Sequence, residues 1–396
     1  MNPTNFTIGC ADEYTVILTA RDLTTYAGEL RWSHLSWSRV LDDISEASVD
    51  VPDVFGGLRC NIEFGDAIRP WRFGLKILRN GSEVWSGPIT NISRPVRDGV
   101  GADYVTLSAR DAMVWTQKRI TSDYLNFEAA DAGTVFRTVL DAGMAADNPM
   151  GLDCPDFDTG YTMTREVVPL DFEYTYDILS ELANSAVDYF MINNELAVFD
   201  AVDFGWYVLR DDVKTRIMET TDPYGRYLYG LFTDEAWINR PGFDIDGMSQ
   251  GNSILIPGAD SGEAGFRRYW SASDVDLTDG LLVHVDVSEL YRPSGDGVIE
   301  EDAVFQQRAE SVLDLRRVAV AVISGGALSQ QAPLRIQDLL PGSIWAIDLA
   351  EKGVGDLLTV QRLKRVDVEV VADGGGIVES VSPTLIPIGS DESVIG

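Results

Sequence analysis

The chain has 396 residues, more than one ordinary compact core, so two or three domains are expected. Its hydrophobic fraction of 45% excludes a disordered chain, and no run approaches the ~20 continuous apolar residues that a membrane-spanning helix requires. Sixty-three acidic against 31 basic residues give a formal net charge of −32, which repels phosphate backbones and speaks against specific nucleic-acid binding.

The stretch Met1 to Thr7 is polar and uncharged and lacks the basic patch and apolar run of a secretory signal, which implies synthesis and assembly in a cytoplasm. Residues 1–118 read as strands joined by turns. Phe73, Leu75 and Ile77 alternate with Arg72 and Lys76, and Asn80-Gly81 supplies a two-residue hairpin turn. That turn sets Ile77 across from Val84 and Lys76 across from Trp85. Tyr104 to Ala109 and the segment around Trp32, Leu35 and Val40 are further strands, whereas Asp42 to Pro52 reads as a polar edge or loop. Many short strands without helices suggest a small barrel or sandwich.

The period then changes. Ala132, Val135, Phe136, Val139 and Leu140 recur at helical spacing after Asp131, with Gly143 near the end. A second helix, capped by Thr175, places Ile178, Leu179, Leu182, Ala183 and Ala186 on one face. Tyr189 to Ile192, the turn Asn193-Asn194, and Leu196 to Phe199 make a hairpin, completing an α+β unit over 119–204. Between the helices, Asp147 to Tyr161 is rich in Pro, Gly and Asp and reads as an exposed loop.

Strand character returns over 205–396. Strands are predicted at Trp206 to Leu209, Arg226 to Phe232, Ser253 to Pro257, Leu281 to Val287, Val318 to Ile323, Ser343 to Leu349, Leu357 to Leu363 and Val366 to Val371. A helix is predicted near 300–315, and the tail after Pro387 reads as loose. The first barrel could be completed by residues 205–240. A faint repeat relates Val84-Trp85 through Ile89, Ile92, Val105 and Leu107 to Ile344-Trp345 through Val360, Leu363, Val378 and Val381.

Tests for chemistry return no assignment. His34 and His284 each sit in strand-like sequence, and Ser33, next to His34, points to the opposite face. Cys10, Cys60 and Cys154 have no metal-like spacing. Asp211-Asp212 and Glu300-Glu301 are adjacent acids that diverge in space. The loop Asp274 to Gly280 has Asp279 where a calcium loop needs Gly, and Val285 where it needs Glu. Gly374-Gly375-Gly376, Gly65 to Gly74 and Gly353-Val354-Gly355 lack the context of a phosphate cradle. Nine tryptophans admit a sugar-stacking surface, but their alternation with core positions favours a core or subunit interface. No catalytic, cofactor-binding or metal-ligating residue is assigned.

Several stretches resemble minor tail proteins of actinobacterial phages. They are WSHLSWSRVLDDISEASVDV from Trp32 to Val51, WRFGLKILRNGSEVWSGPITNISRP from Trp71 to Pro95, and VTLSARDAMVWTQKR from Val105 to Arg119. ILIPGADSGEAGFRRYW from Ile254 to Trp270 and the long stretch from Ser324 to Val370 extend the match. This family is similar to the baseplate hub proteins of long-tailed phages. The resemblance implies a mainly β chain with two tube-like β-barrel domains, 1–118 and 205–396, around the α+β insert. It also implies a non-enzymatic homotrimer at the tail tip, between the distal tail or tube ring and the central spike or fibre, with DNA passing through its lumen. The acidic composition suggests an acidic lumen wall that repels the passing phosphates. Some hubs carry an appended lysin module, which is not expected here because the chain ends near Gly396. The alternatives are a carbohydrate-binding or glycoside-hydrolysing tail protein acting on the host envelope, and a hexameric distal tail ring component.

Overall fold

The computed structural model describes residues 13–52, 54–55, 58–59, 68–94, 96–97, 100–101, 104–121, 123–145, 147–168, 173–183, 187–200, 206–210, 213–218, 229–233, 238–239, 242–246, 253–260, 267–273, 286–288, 320–324, 327–328, 336, 339–348, 358–373 and 376–387. The fold is mainly β with a small helical part, as the sequence patterns predict. The predicted helix near 300–315, the tail after Pro387, Cys10, Cys60, His284, Asp211-Asp212 and the loop Asp274 to Gly280 lie outside the described residues.

Period-two alternation builds the N-terminal sheet. Its strands are β1 (Tyr14–Ala20), β2 (Tyr26–Leu30), β3 (His34–Val40), β4 (Glu46–Pro52), β5 (Phe73–Arg79), β6 (Ser82–Ser93) and β7 (Tyr104–Arg110). Val16, Leu35, Trp37, Val49, Leu75, Ile77 and Leu107 all face one buried core. The stretch predicted as a polar loop, Asp42 to Pro52, holds β4, an internal strand between β7 and β3. Its alternation of Ala47, Val49 and Val51 with Ser48 and Asp50 is the signature of a half-buried strand, and the acids and serines obscured it.

The Asn80-Gly81 turn forms with φ of +49° and +78°, the left-handed pair that a two-residue hairpin needs. The register differs from the prediction beyond it. Leu78 faces Glu83, but Ile77 faces Trp85, because Val84 is bulged. Without the bulge Trp85 would lie beside Lys76 on the outer face. With it, Trp85 is buried and its indole N–H donates to Ser45 Oγ at 3.0 Å. Farther along, β6 bends from β5 to β7 at Gly87, where an added Cβ would lie 2.0 Å from the Arg110 carbonyl oxygen.

The α+β unit is built on α1 (Ala132–Met144) and α2 (Thr175–Ala183). The strand pair β8 (Leu125–Asp131) and β9 (Thr162–Val167), which periodicity does not predict, flanks α1. The predicted hairpin is β10 (Val187–Ile192) and β11 (Glu195–Asp200). Asp131 caps α1, accepting from Gly133 N at 2.8 Å and also holding Thr159. The two helices touch at Gly143, where a Cβ would come within 2.3 Å of Thr175 Oγ1. The segment Asp147 to Tyr161 is irregular but not an exposed loop. Met150, Leu152, Cys154 and Phe157 are buried in the unit's core, because Pro, Gly and Asp prevent regular pairing while the interspersed apolar residues still fill space.

In the C-terminal half, β12 (Tyr229–Thr233), β13 (Gly242–Asp246), β14 (Val320–Ser324) and β15 (Ile344–Asp348) precede a long hairpin of β16 (Leu358–Asp373) and β17 (Gly376–Pro387). The two strands predicted at Leu357 to Leu363 and Val366 to Val371 are one strand of 16 residues with an irregularity at Lys364. There it exchanges partners along the same edge. Residues 358–362 pair with β15, and residues 365–371 pair with β3. A single 13-stranded sheet therefore runs in the order β2-β1-β5-β6-β7-β4-β3-β16-β17-β14-β13, with β15 and β12 joined through β16. The faint repeat does not correspond element for element, since Val84 to Ile92 lie on one strand and Ile344 to Leu363 span two.

The N-terminal half of this sheet curls until its distant strands meet through buried polar groups. Arg79 on β5 donates to Glu379 on β17 through Nε at 2.8 Å and Nη2 at 2.9 Å, with only 9% and 5% of the side chains exposed. The Tyr14 hydroxyl donates to the same carboxylate at 2.5 Å, and burial, reinforced by Glu379, pushes its pKa far up. Arg39 crosses the core to the carbonyls of Val84 and Ile336, both at 3.2 Å, and burial pulls its pKa down to about 10. Breaking a buried pair strands the remaining charge. Glu379→Ala is expected to lower stability by about 3–5 kcal/mol, and the double change Arg79→Met/Glu379→Leu by clearly less. Urea unfolding of the three proteins checks this, and equal losses would show that the packing of these side chains matters more than their charge.

Candidate functional site

Core residues on β3, β4, β7 and β16 leave every second side chain on the other face of the sheet, which the 3-10 helix Ala112–Lys118 borders. That face bounds a concavity of about 700 Å³. The pairing registers place its residues in rows that cross six strands. One row runs Asn91, Ser108, Ser48, Ser36, Glu369, Ser380 from β6 to β17. Beside it Ser38, Asp367 and Ser382 form another, and Arg110 faces Glu46. The floor is therefore paved mainly with short hydroxyl and amide side chains.

The carboxylates on this face each have a basic partner. Arg110 meets Glu46 at 2.7 Å, Arg365 meets Asp367 at 2.8 Å, and His34 Nε2 lies 2.9 Å from Glu369 Oε1. Lys118 stands over the Trp71 ring, 5.8 Å from its centroid. Three carboxylates thus match three permanent cations, Arg110, Lys118 and Arg365, among the lining residues.

The arrangement offers no catalytic constellation among the described residues. The Ser33 hydroxyl donates to the Asp50 carbonyl, so His34 and Ser33 do not form a nucleophile–base pair. No group of three His, Cys, Asp or Glu residues able to hold a metal is found among the described residues. Cys154 is buried, with its Sγ 3.5 Å from the Pro155 carbonyl oxygen. Of the tryptophans with described side chains, Trp37, Trp85 and Trp115 are buried and Trp32 and Trp71 half-buried, as a core role predicts. What the face can do is bind water along rows of hydroxyls.

Sequence reasoning noticed the serines alternating with His34 but missed the rows, because these depend on strand registers between residues up to about 330 positions apart. It also missed Asp111, which caps the 3-10 helix Ala112–Lys118 that borders the face. Its carboxylate accepts from Ser45 N at 2.6 Å and from Met113 N at 2.9 Å, and its own N–H donates to the Ser45 carbonyl at 3.0 Å. Desolvation outweighs these hydrogen bonds and, with Asp43 adding repulsion, pushes its pKa up to about 7.

No protein-family model matches the sequence, and no curated protein matches it. Solved structures share its fold. A 43 kDa tail protein of prophage MuSo2 from Shewanella oneidensis superposes with a TM-score of 0.61 at 10% identity, covering 95% of this chain and 99% of that one. A tail protein from Neisseria meningitidis MC58 gives 0.58 at 14% identity, covering 96% and 98%. A prophage tail protein from Listeria monocytogenes EGD-e gives 0.53 at 12% identity, covering 96% of each chain. The likeness is one of fold, along almost the whole of each chain.

The raised pKa of Asp111 has a definite sign in stability. The folded chain binds this proton more tightly than the unfolded one, whose carboxyl titrates near 3.8. The stabilisation is complete below about pH 4, is lost as pH rises to about 7, and stays lost above. The stability difference between the protein and its Asp111→Asn variant, measured by urea unfolding, is expected to shift against the unmodified protein across that window. A difference independent of pH would mean that Asp111 is ionised throughout.

Proposed function

We propose that the chain is a structural, non-enzymatic component of a phage tail, and within the tail the hub at its tip. The carrying observation is the single sheet that runs through both halves of the chain with a concave, largely polar face. The similarity in fold to three tail proteins over nearly their entire lengths supports the reading. In this reading each half contributes one tube-like barrel, 1–118 together with strands from 205–396, and the α+β unit 119–204 lies outside. Three copies present six such units around an axis, which lets a trimer meet a six-fold tube without unpaired strand edges. The concave face lines the channel through which DNA leaves. The distal tail or tube ring binds on one side and the central spike or fibre on the other. The protein is assembled in the host cytoplasm and resides in the virion.

The carbohydrate-active alternative has no observation in its favour. Each carboxylate on the concave face is engaged by an arginine or by His34, and the tryptophans that line it, Trp37 and Trp71, are buried and half-buried. Mass measurement of the purified particle by sedimentation is expected to give three copies, and electron micrographs a ring with a central opening. Six copies would assign the chain to the distal ring instead. A monomer at every concentration, or release of sugars from host cell-wall polysaccharide, would sink the hub.

A further inference from the structure

The concave face carries charge without carrying net charge, and that distinction has a function if DNA passes it. The chain as a whole has about two acids per base, 63 to 31, yet the lining residues hold three of each permanent sign. The global charge cannot stand in for the local one. At physiological salt the Debye length is about 8 Å, so a phosphate close to the wall feels the groups on that wall and little of the rest of the molecule. Uncompensated arginines there would bind phosphates bidentately and release counterions, which is the main source of non-specific DNA affinity. A purely acidic wall would do the opposite and oppose entry of the polyanion.

We propose that Glu46, Asp367 and Glu369 offset Arg110, Arg365 and Lys118, so that the concave face is a neutral, hydroxyl-paved wall that neither holds nor repels double-helical DNA. This rests on the reading of that face as the channel lining. The pairs also tie the curved sheet together: Arg110–Glu46 links β7 to β4, and His34–Glu369 links β3 to β16. The cations thus have a structural use that explains why they are kept on a surface from which they could otherwise be omitted. All three pairs are partly exposed, with side-chain exposures between 36% and 61%. Solvent reaches them, so what a passing phosphate meets is a sum near zero and not a sealed ion pair. The serines add short side chains with no stacking surface, and the half-buried ring of Trp71 at the margin of the face is approached by Lys118.

The test uses the purified full-length protein and a fluorescently labelled DNA duplex, followed by anisotropy at about 50 mM and 150 mM salt. The unmodified protein is expected to show no binding. The variant E46Q/D367N/E369Q is expected to gain affinity by at least about tenfold, with a steep loss on raising salt. A control, D123N/E128Q/D177N, removes the same number of charges from exposed positions of the α+β unit and is expected to gain nothing. A second route, S36R/S108R, adds unmasked cations without removing any pair, and is expected to bind DNA as well. Thermal unfolding of each variant confirms that it is folded. DNA binding by the unmodified protein overturns the proposal. So does an equal gain in the control, which would make bulk charge the cause, or the absence of gain in both the triple and the serine variants. These outcomes are separable from the fate of the hub reading. A trimeric ring whose unmodified wall binds DNA keeps the hub and loses the masking, whereas a monomer loses the hub whatever its DNA affinity.

Discussion

One strand with two partners on the same edge holds this chain together. Along β16, hydrogen bonds to β15 give way to hydrogen bonds to β3 at Lys364, whose backbone carbonyl accepts from Leu41 N at 2.9 Å and whose ammonium donates to the Leu41 carbonyl at 2.8 Å. Both halves of the sheet are therefore continuous through a single backbone. The alternation of Val366, Val368 and Val370 with Arg365, Asp367 and Glu369 places an apolar face in the N-terminal core and a polar face in the concavity. Glu379, on the returning strand, carries the same hairpin across that core to Arg79 and Tyr14. Strain, register and curvature in one half are transmitted to the other because main-chain hydrogen bonds leave little room for slippage once one face is buried.

The fold class was legible because it depends on local periodicity. Helices α1 and α2 announce themselves through Val135, Phe136, Val139 and Leu140, and through Ile178, Leu179 and Leu182, and the Asn-Gly turn through its backbone requirement. The misreadings have a common cause. The bulge at Val84, the internal strand at Glu46–Pro52 and the burial of Met150 and Leu152 are all decided by what lies on the far side of the core. The indole of Trp85 is drawn inward beside Ile77 by the Ser45 hydroxyl, which lies 40 positions away in sequence. Likewise, nothing local to residues 358–373 says that half of the strand will serve β3.

The concave face shows the same limit more sharply. Its serines are scattered among residues 36, 38, 48, 108, 380 and 382, and composition gave no reason to connect them. Composition pointed to an acidic surface because it averages over the whole chain, whereas the face selects one side of six strands. A net charge of −32 describes colloidal behaviour well. It is a poor guide to any surface smaller than the molecule.

The partnership between β3 and the C-terminal hairpin also sets a schedule. A ribosome releases His34–Val40 more than three hundred residues before Leu358–Asp373 exists. Until then the early strands have an open edge and an incomplete core, and so high a sequence separation makes closure slow. A polypeptide interrupted during translation is left without the segment that finishes its first sheet. Only a finished copy can present the completed surface, so the order of the chain itself separates complete copies from truncated ones.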